Sequence, residues 1–184
     1  MEFITGKLET LDASIRSAMA HYRYQVFVRK LGWNLDCEED SEFDQFDRDD
    51  TVYILARDSQ KQVVGVARLL STATPYLLSE VFPDLLAGQP LPASEQVWEL
   101  SRFAAADTGD SSDCLERQTS SPNAIALMQA TLRCAAEHGA RKLITVSPPG
   151  IERLLRKVGI DASRAGEVCS KYGQPLYASW ITVN

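Results

Sequence analysis

Gln96-Val-Trp-Glu-Leu-Ser-Arg-Phe-Ala104 is the stretch on which the fold turns. Val97, Glu99, Ser101 and Phe103 alternate with Trp98, Leu100 and Arg102, the period of two that belongs to a strand. Polar groups fall on both of its faces, and Glu99 and Arg102 stand in otherwise apolar surroundings. A charge buried in this way needs a partner. Taken alone, the two fit a structural ion pair at least as well as a catalytic one.

Working outward, Ser121-Pro122 offers a capping hydroxyl before a proline at the first helical position, and Ile125, Met128, Leu132 and Ala135 form an apolar stripe that runs to Gly139. Lys142–Ser147 reads as a strand, Pro148-Pro149-Gly150 breaks it, Ile151–Val158 makes a short helix, and Leu176–Val183 closes as another strand. Upstream, Thr51–Arg57 and Gln62–Leu70 are β-rich runs joined by the polar turn Asp58–Lys61, an antiparallel hairpin in which Gly65 is a candidate bulge. Residues 71–95, with Pro75, Pro83, Pro90 and Pro92, read as loop. The segment from Cys37 to Asp50 is acidic and aperiodic, a loop expected to be mobile until something binds it. Leu11, Ile15, Met19, Tyr22 and Val26 recur at helical spacing, so residues 11–30 read as one amphipathic helix. Strands and helices interleave without an internal repeat, which points to an α/β protein with a mixed sheet and helices on its faces.

At 184 residues, 45% of them apolar, the chain suits a single domain over 1–184 with a sizeable core. The opening residues lack the basic start and apolar run of a signal peptide, and no window is long and apolar enough to span a bilayer. A cytoplasmic protein without membrane insertion is expected. Cys37, Cys114, Cys134 and Cys169 form no Cys-x-x-Cys pair and His21 and His138 stand far apart, so free thiols and no metal are expected. The net charge of −6 is uneven: residues 1–113 hold 10 Lys/Arg against 20 Asp/Glu, and residues 114–184 hold 9 against 5. That modest basic third has few aromatic candidates beside it, so an acidic protein partner explains it at least as well as nucleic acid, and an ordinary solvated surface remains open.

Three further features resist a bland account. Asp44-Gln-Phe-Asp47 puts two carboxylates in an already self-repelling loop that gains from a nearby Arg or a cationic ligand. Arg68 lies on a strand between Ala67 and Leu69, where an inward guanidinium demands a carboxylate. Arg23, Phe27 and Trp33 together offer a cation and an aromatic wall, although core packing accounts for the aromatics equally well.

From about residue 20 onward the chain resembles the LuxI-type acyl-homoserine lactone synthases. The matching residues are Arg23, Phe27, Trp33, Asp44, Asp47, Arg68, Glu99 and Arg102, with Glu-Leu-Ser-Arg-Phe at 99–103 and Gly32-Trp33 in context. The chain stops at Asn184, somewhat before the family's usual end. The resemblance implies a GCN5-related N-acetyltransferase-like fold, a mixed, splayed β-sheet with helices on both faces, whose cleft admits a pantetheine arm. It implies an acyltransferase that moves an acyl group from acyl-acyl carrier protein to the amine of S-adenosylmethionine and closes the lactone, releasing methylthioadenosine as it makes a quorum-sensing signal. S-adenosylmethionine is then a substrate, and no cofactor is expected. By the same resemblance Arg23, Phe27, Trp33, Arg102 and Phe103 line the S-adenosylmethionine pocket, while Glu99, Asp44, Asp47 and Arg68 form the catalytic charge network, with the acidic loop as a lid. Ser101, Met128 and Thr145 line an acyl pocket. Thr145 matches a position associated with 3-oxo donors, and a threonine also simply suits a strand.

The chemistry accounts for these residue types. An α-amino group, with a pKa near 8, must lose a proton before it attacks a thioester, and Glu99 is the candidate base. Backbone N–H groups near 101–104 are the candidate donors to the oxyanion. Asp113–Ala124 contains no glycine, unlike the Gly-rich pyrophosphate turn of many coenzyme A enzymes, which favours a carrier protein. Arg153, Arg156 and Lys157 share a helical face that suits an acidic carrier, with Arg164 and Lys171 as possible extensions. Two alternatives stand beside this reading: a coenzyme A-dependent N-acetyltransferase, and a non-catalytic module that binds acyl carrier protein.

Overall fold

The computed structural model describes residues 1–105 and 121–183. Seven strands form one mixed sheet: β1 (Glu2–Lys7), β2 (Val52–Arg57), β3 (Val63–Ser71), β4 (Val97–Ala105), β5 (Lys142–Ser147), β6 (Ala162–Arg164) and β7 (Tyr177–Thr182), in the order β1-β2-β3-β4-β5-β7-β6. β1 runs antiparallel to β2, β4 parallel to β5 with Val97 opposite Lys142 and Leu100 opposite Thr145, and β7 antiparallel to both β5 and β6. The helices are α1 (Ala13–Arg23), α2 (Leu77–Val81), α3 (Pro122–Glu137) and α4 (Ile151–Lys157). Ser121 caps α3 by accepting from the Ala124 N–H at 3.1 Å, as its sequence predicts. No described helix is long and apolar enough to cross a membrane.

Spatial proximity divides the chain into two compact units, Met1–Arg68 with Arg102–Ala130, and Leu69–Ser101 with Thr131–Asn184.

In the first unit a core of Leu11, Met19, Phe27, Tyr53, Leu55 and Val66 joins α1 to the sheet. β2 is buried along nearly its whole length, because both of its faces are covered. The turn between β2 and β3 is tied by the Asp58 carboxylate, which accepts from Gln60 and Gln62 N–H at 2.9 Å each. A connection this short leaves the hairpin antiparallel. Gly65 serves close approach: a Cβ there would sit 3.2 Å from Ala56 Cβ and 3.3 Å from both the Ala104 carbonyl and Leu127 Cδ2.

The single helix expected over 11–30 is two elements. After Arg23 the backbone widens into a π-helix over Tyr24–Lys30, with Leu31 N–H donating to the Val26 carbonyl at 2.9 Å. Gly32, with φ of 66°, then reverses the chain, and Trp33 N–H reaches the Phe27 carbonyl at 2.9 Å. A regular helix would have carried residues 28–33 straight on, so an apolar pattern alone could not reveal this turn. One other position departs from ordinary backbone in a way that matters: Arg102, inside β4, has φ of +50°. Left-handed geometry at a non-glycine residue is strained by roughly 1–3 kcal/mol and persists where surrounding contacts enforce it.

In the second unit α3 continues from Thr131, and β5, β6 and β7 are flanked by α4. Residues 71–95 are more ordered than their prolines suggest. Tyr76 N–H donates to Ser79 Oγ at 3.2 Å as α2 begins, and a 3-10 turn over Pro83–Leu86 follows. Leu78 and Leu85 are fully buried and anchor this segment.

Because Gly65 faces three atoms near contact distance, Gly65→Leu should lower stability by about 1–3 kcal/mol, as overpacking does. Gly65→Ala should cost less, and chemical denaturation of the two variants measures the difference.

Candidate active site

The first unit encloses six opposite charges. Arg23, fully buried, leaves α1 and donates through Nε to Glu42 Oε2 at 2.5 Å, and through Nη1 and Nη2 to the two oxygens of Asp47 at 2.9 Å each. Arg68 on β3 donates through Nη1 to Asp44 at 2.6 Å and to Asp47 at 2.8 Å. Arg102 on β4 donates through Nη2 to Glu42 at 3.0 Å and to Asp44 at 2.8 Å. Three guanidiniums thus meet three carboxylates, and Arg23 grips Asp47 with the two-pronged geometry that makes such pairs strong. Tyr53 adds a hydrogen bond to Asp47.

The loop folds around this cluster by local bonds of its own. Asp44 N–H donates to Asp47 Oδ2 at 2.7 Å and Phe46 N–H to Asp44 Oδ1 at 2.8 Å, an arrangement available to Asp-x-x-Asp. Glu42 N–H donates to the Ala20 carbonyl at 3.1 Å, fastening the loop to α1. Residues 42–47 of the acidic segment thus have three carboxylates, those of Glu42, Asp44 and Asp47, bonded to arginines.

Aromatic rings face the guanidiniums. Phe27 and Trp33 stack with centroids 4.9 Å apart and planes at 24°, and the Arg102 guanidinium carbon lies 5.5 Å from one centroid and 5.7 Å from the other. Arg23 lies over Phe43 at 5.6 Å and Arg68 over Phe46 at 5.8 Å. Phe27 is buried, Trp33 and Phe103 are half-buried. Arg23 is enclosed, whereas Trp33 presents part of its surface to solvent.

Electrostatics set the protonation of the cluster. Burial opposes the charge on Asp47, but Arg23 and Arg68 outweigh it and hold the carboxyl well below the usual range. Burial, with Asp47 alongside, raises the Tyr53 phenol far above its ordinary value.

In the second unit Glu99 is 1% exposed, and its carboxylate accepts from Leu77 N–H at 2.9 Å and Leu78 N–H at 2.7 Å. These donors come from α2, in the stretch that reads as loop from sequence. Burial and the Glu99 charge push the Tyr76 phenol up to about 12. Ser101 and Thr145 are buried here, Thr145 opposite Leu100 in the β4/β5 register, and Met128 is buried on α3 in the first unit. Arg153, Arg156 and Lys157 are exposed on α4. Arg164 is engaged by Glu152 at 3.3 Å and Lys171 by Asp84, so these two are less available as docking charges. Most of the glycine-free stretch Asp113–Ala124 lies outside the described residues.

Sequence reasoning missed Glu42, Tyr53, Phe43 and Phe46. Glu42 stands among Glu38, Glu39 and Asp40 with nothing in residue type to set it apart. Counting charges could have found it, since three inward arginines require a third carboxylate beyond Asp44 and Asp47.

Replacing Asp47 with Asn should cost about 3–5 kcal/mol at neutral pH, as when a buried pair is broken from one side. The folded-state pKa of Asp47 is depressed below an unfolded value near 4, so its contribution is present above about pH 4 and is lost as pH falls toward the lower, folded value. Denaturation curves of wild type and D47N should therefore converge at acid pH; a gap unchanged down to about pH 2 would contradict the assignment.

A family model described as autoinducer synthase matches residues 8–184. An acyl-homoserine-lactone synthase of Acinetobacter nosocomialis is 45% identical over 183 residues, covering 100% of both chains. Among solved structures, TofI in a ternary complex with an inhibitor and MTA superposes with a TM-score of 0.84 at 43% identity, covering 100% of this chain and 92% of that one. MesI, described as a CoA-dependent acyl-homoserine lactone synthase, gives 0.83 at 27% identity, covering 100% and 89%. A Lactobacillus plantarum chain assigned as an N-acetyltransferase gives 0.66 at 14% identity, covering 100% and 98%, a likeness of fold alone. With its sheet of acetyltransferase type and nearly its full length matched, the chain belongs to the autoinducer synthase family.

Proposed function

We propose that this chain is an acyl-homoserine lactone synthase that moves an acyl group from an acyl-acyl carrier protein to the amine of S-adenosylmethionine and then closes the lactone, releasing methylthioadenosine. The observation that carries the reading is β4, which bears both a carboxylate held by backbone N–H groups, Glu99, and a guanidinium laid over two stacked aromatic rings, Arg102.

Glu99 takes the proton from the substrate ammonium through a water. The freed amine attacks the thioester carbonyl, the oxyanion is met by backbone N–H groups near 101–104, and collapse expels the carrier thiolate. No acyl-enzyme is required. In the second step the methionine carboxylate attacks its own γ-carbon, and the C–S bond to the sulfonium breaks to release methylthioadenosine. Holding the chain curled supplies on the order of 7 kcal/mol or more through proximity.

Phe27, Trp33, Phe103 and Arg102 line the S-adenosylmethionine pocket, and Arg23, Asp47 and Arg68 act on it through the charges they hold in place. Asp44, whose side chain is 20% exposed, is the network carboxylate best able to meet a cationic substrate. Ser101, Met128 and Thr145 line the acyl pocket. Arg153, Arg156 and Lys157 dock the acidic carrier. MesI's description favours coenzyme A as a second reading of the donor; the exposed cationic face of α4 favours the carrier protein.

Purified protein given S-adenosylmethionine and an acyl-carrier substrate should release methylthioadenosine and lactone in equal amounts; neither product would end the proposal. Glu99→Gln should bind both substrates and lose about 100-fold or more in turnover, the scale of general-base catalysis. Arg153→Glu with Arg156→Glu should raise the Michaelis constant for the acyl-carrier substrate and leave that for S-adenosylmethionine unchanged, whereas equal use of acyl-coenzyme A by both forms with no carrier defect would favour the other donor.

A further inference from the structure

Glu99 is held by a segment that is itself held from near the C-terminus. Leu77 and Leu78, whose N–H groups meet Glu99, open α2. Only Phe82 separates α2 from the 3-10 turn Pro83–Leu86, and backbone bonds run through the junction, Phe82 N–H to Leu78 O and Leu85 N–H to Phe82 O at 3.1 Å each. Movement at Leu85 therefore reaches Leu78 through two hydrogen bonds.

The connection between β6 and β7 grips the stretch Phe82–Gln89, which contains this turn, at four points. A Cβ on Gly166 would lie 2.0 Å from the Leu85 carbonyl oxygen and 3.0 Å from its carbon, so the two backbones meet where only glycine fits. Asp84 is taken by Lys171, and by the Tyr172 hydroxyl at 3.2 Å. The Phe82 and Tyr172 rings meet edge to face at 4.9 Å. Gln89 Nε2 donates to the Ala165 carbonyl at 3.3 Å. A turn needed only to close the chain between α2 and β4 would not require this much from residues some eighty positions away.

We propose that Gly166, with the Asp84–Lys171–Tyr172 cluster, is a positioning element for Glu99, bracing α2 so that its first two N–H groups aim the carboxylate. This rests on the reading of Glu99 as the base. Gly166 and Asp84 do not touch the substrate; they act through the Leu85 backbone and α2.

The test uses the full chain carrying Gly166→Ala or Asp84→Asn, with amide hydrogen exchange and steady-state kinetics read together. In Gly166→Ala, exchange at Leu77 and Leu78 should quicken by about tenfold or more relative to the Leu143 and Ile144 amides of β5, the signature of local rather than global opening. Turnover should fall by about tenfold or more while the Michaelis constant for S-adenosylmethionine stays within about twofold, since the loss is in the transition state and not in ground-state binding. Asp84→Asn, at an exposed site that folding tolerates, should move both quantities the same way by less. The proposal is overturned if Leu77 and Leu78 exchange in step with β5 in both variants, or if they exchange faster and turnover holds. Glu99→Gln in the same assay separates the two ideas: wild-type turnover there removes the base assignment, while exchange at Leu77 and Leu78 still reports whether the brace holds α2.

Discussion

Three guanidiniums and three carboxylates, almost entirely withdrawn from water, form the constraint around which the first unit is arranged. Desolvating six charges is expensive, and the expense is met only when every partner is in place and well oriented. Here Arg23 comes from α1, Arg68 from β3, Arg102 from β4, and all three carboxylates from a single loop. The cluster thereby fixes the loop to the sheet and the helix to the loop. Removing one member leaves an unmatched charge among buried neighbours, so the arrangement resists partial opening. An acidic segment that would repel itself in isolation is thereby tied to three elements of the unit.

Local irregularities follow from serving that cluster. Arg102 must reach Glu42 and Asp44 while its guanidinium lies over Phe27 and Trp33, and its left-handed backbone is the position at which β4 departs from regular geometry. The π-helix after Arg23 does the corresponding work from the other side, turning the chain so that Trp33 returns over Phe27. Strain in β4 and widening in the helix are both compensated by the same set of contacts. The aromatic wall is in this sense a product of the charge cluster.

Much of this was legible in residue order. The hairpin, β4, α3, β5, α4 and β7 follow from periodicity and from Pro and Gly punctuation. Arg23, Asp44, Asp47, Arg68, Glu99 and Arg102 stand out because charges in apolar or self-repelling surroundings need an explanation. Less legible were features that depend on tertiary neighbours. β1 is a strand whose partner lies fifty residues on. Leu77–Leu86 becomes helical because Leu78 and Leu85 find a core, against the signal of its prolines. Glu42 looks like its exposed neighbours, and the π-helix keeps the apolar pattern of an ordinary helix while changing where it leads. Gly65 is marked in sequence only as a candidate bulge, and Gly166 announces nothing about the backbone it meets.

Two kinds of carboxylate emerge from these contacts, and the difference bears on which can take part in proton transfer. Asp47 faces two arginines that hold it ionised far below neutral pH, so it orders the site and does not take up a proton there. Glu99 is met by the N–H groups of Leu77 and Leu78, donors without formal charge. On the proposed reading of Glu99 as the base, these two contacts orient the carboxylate without themselves supplying a counter-charge. Part of the demand for precision at Glu99 thereby falls on the segment that carries Leu77 and Leu78.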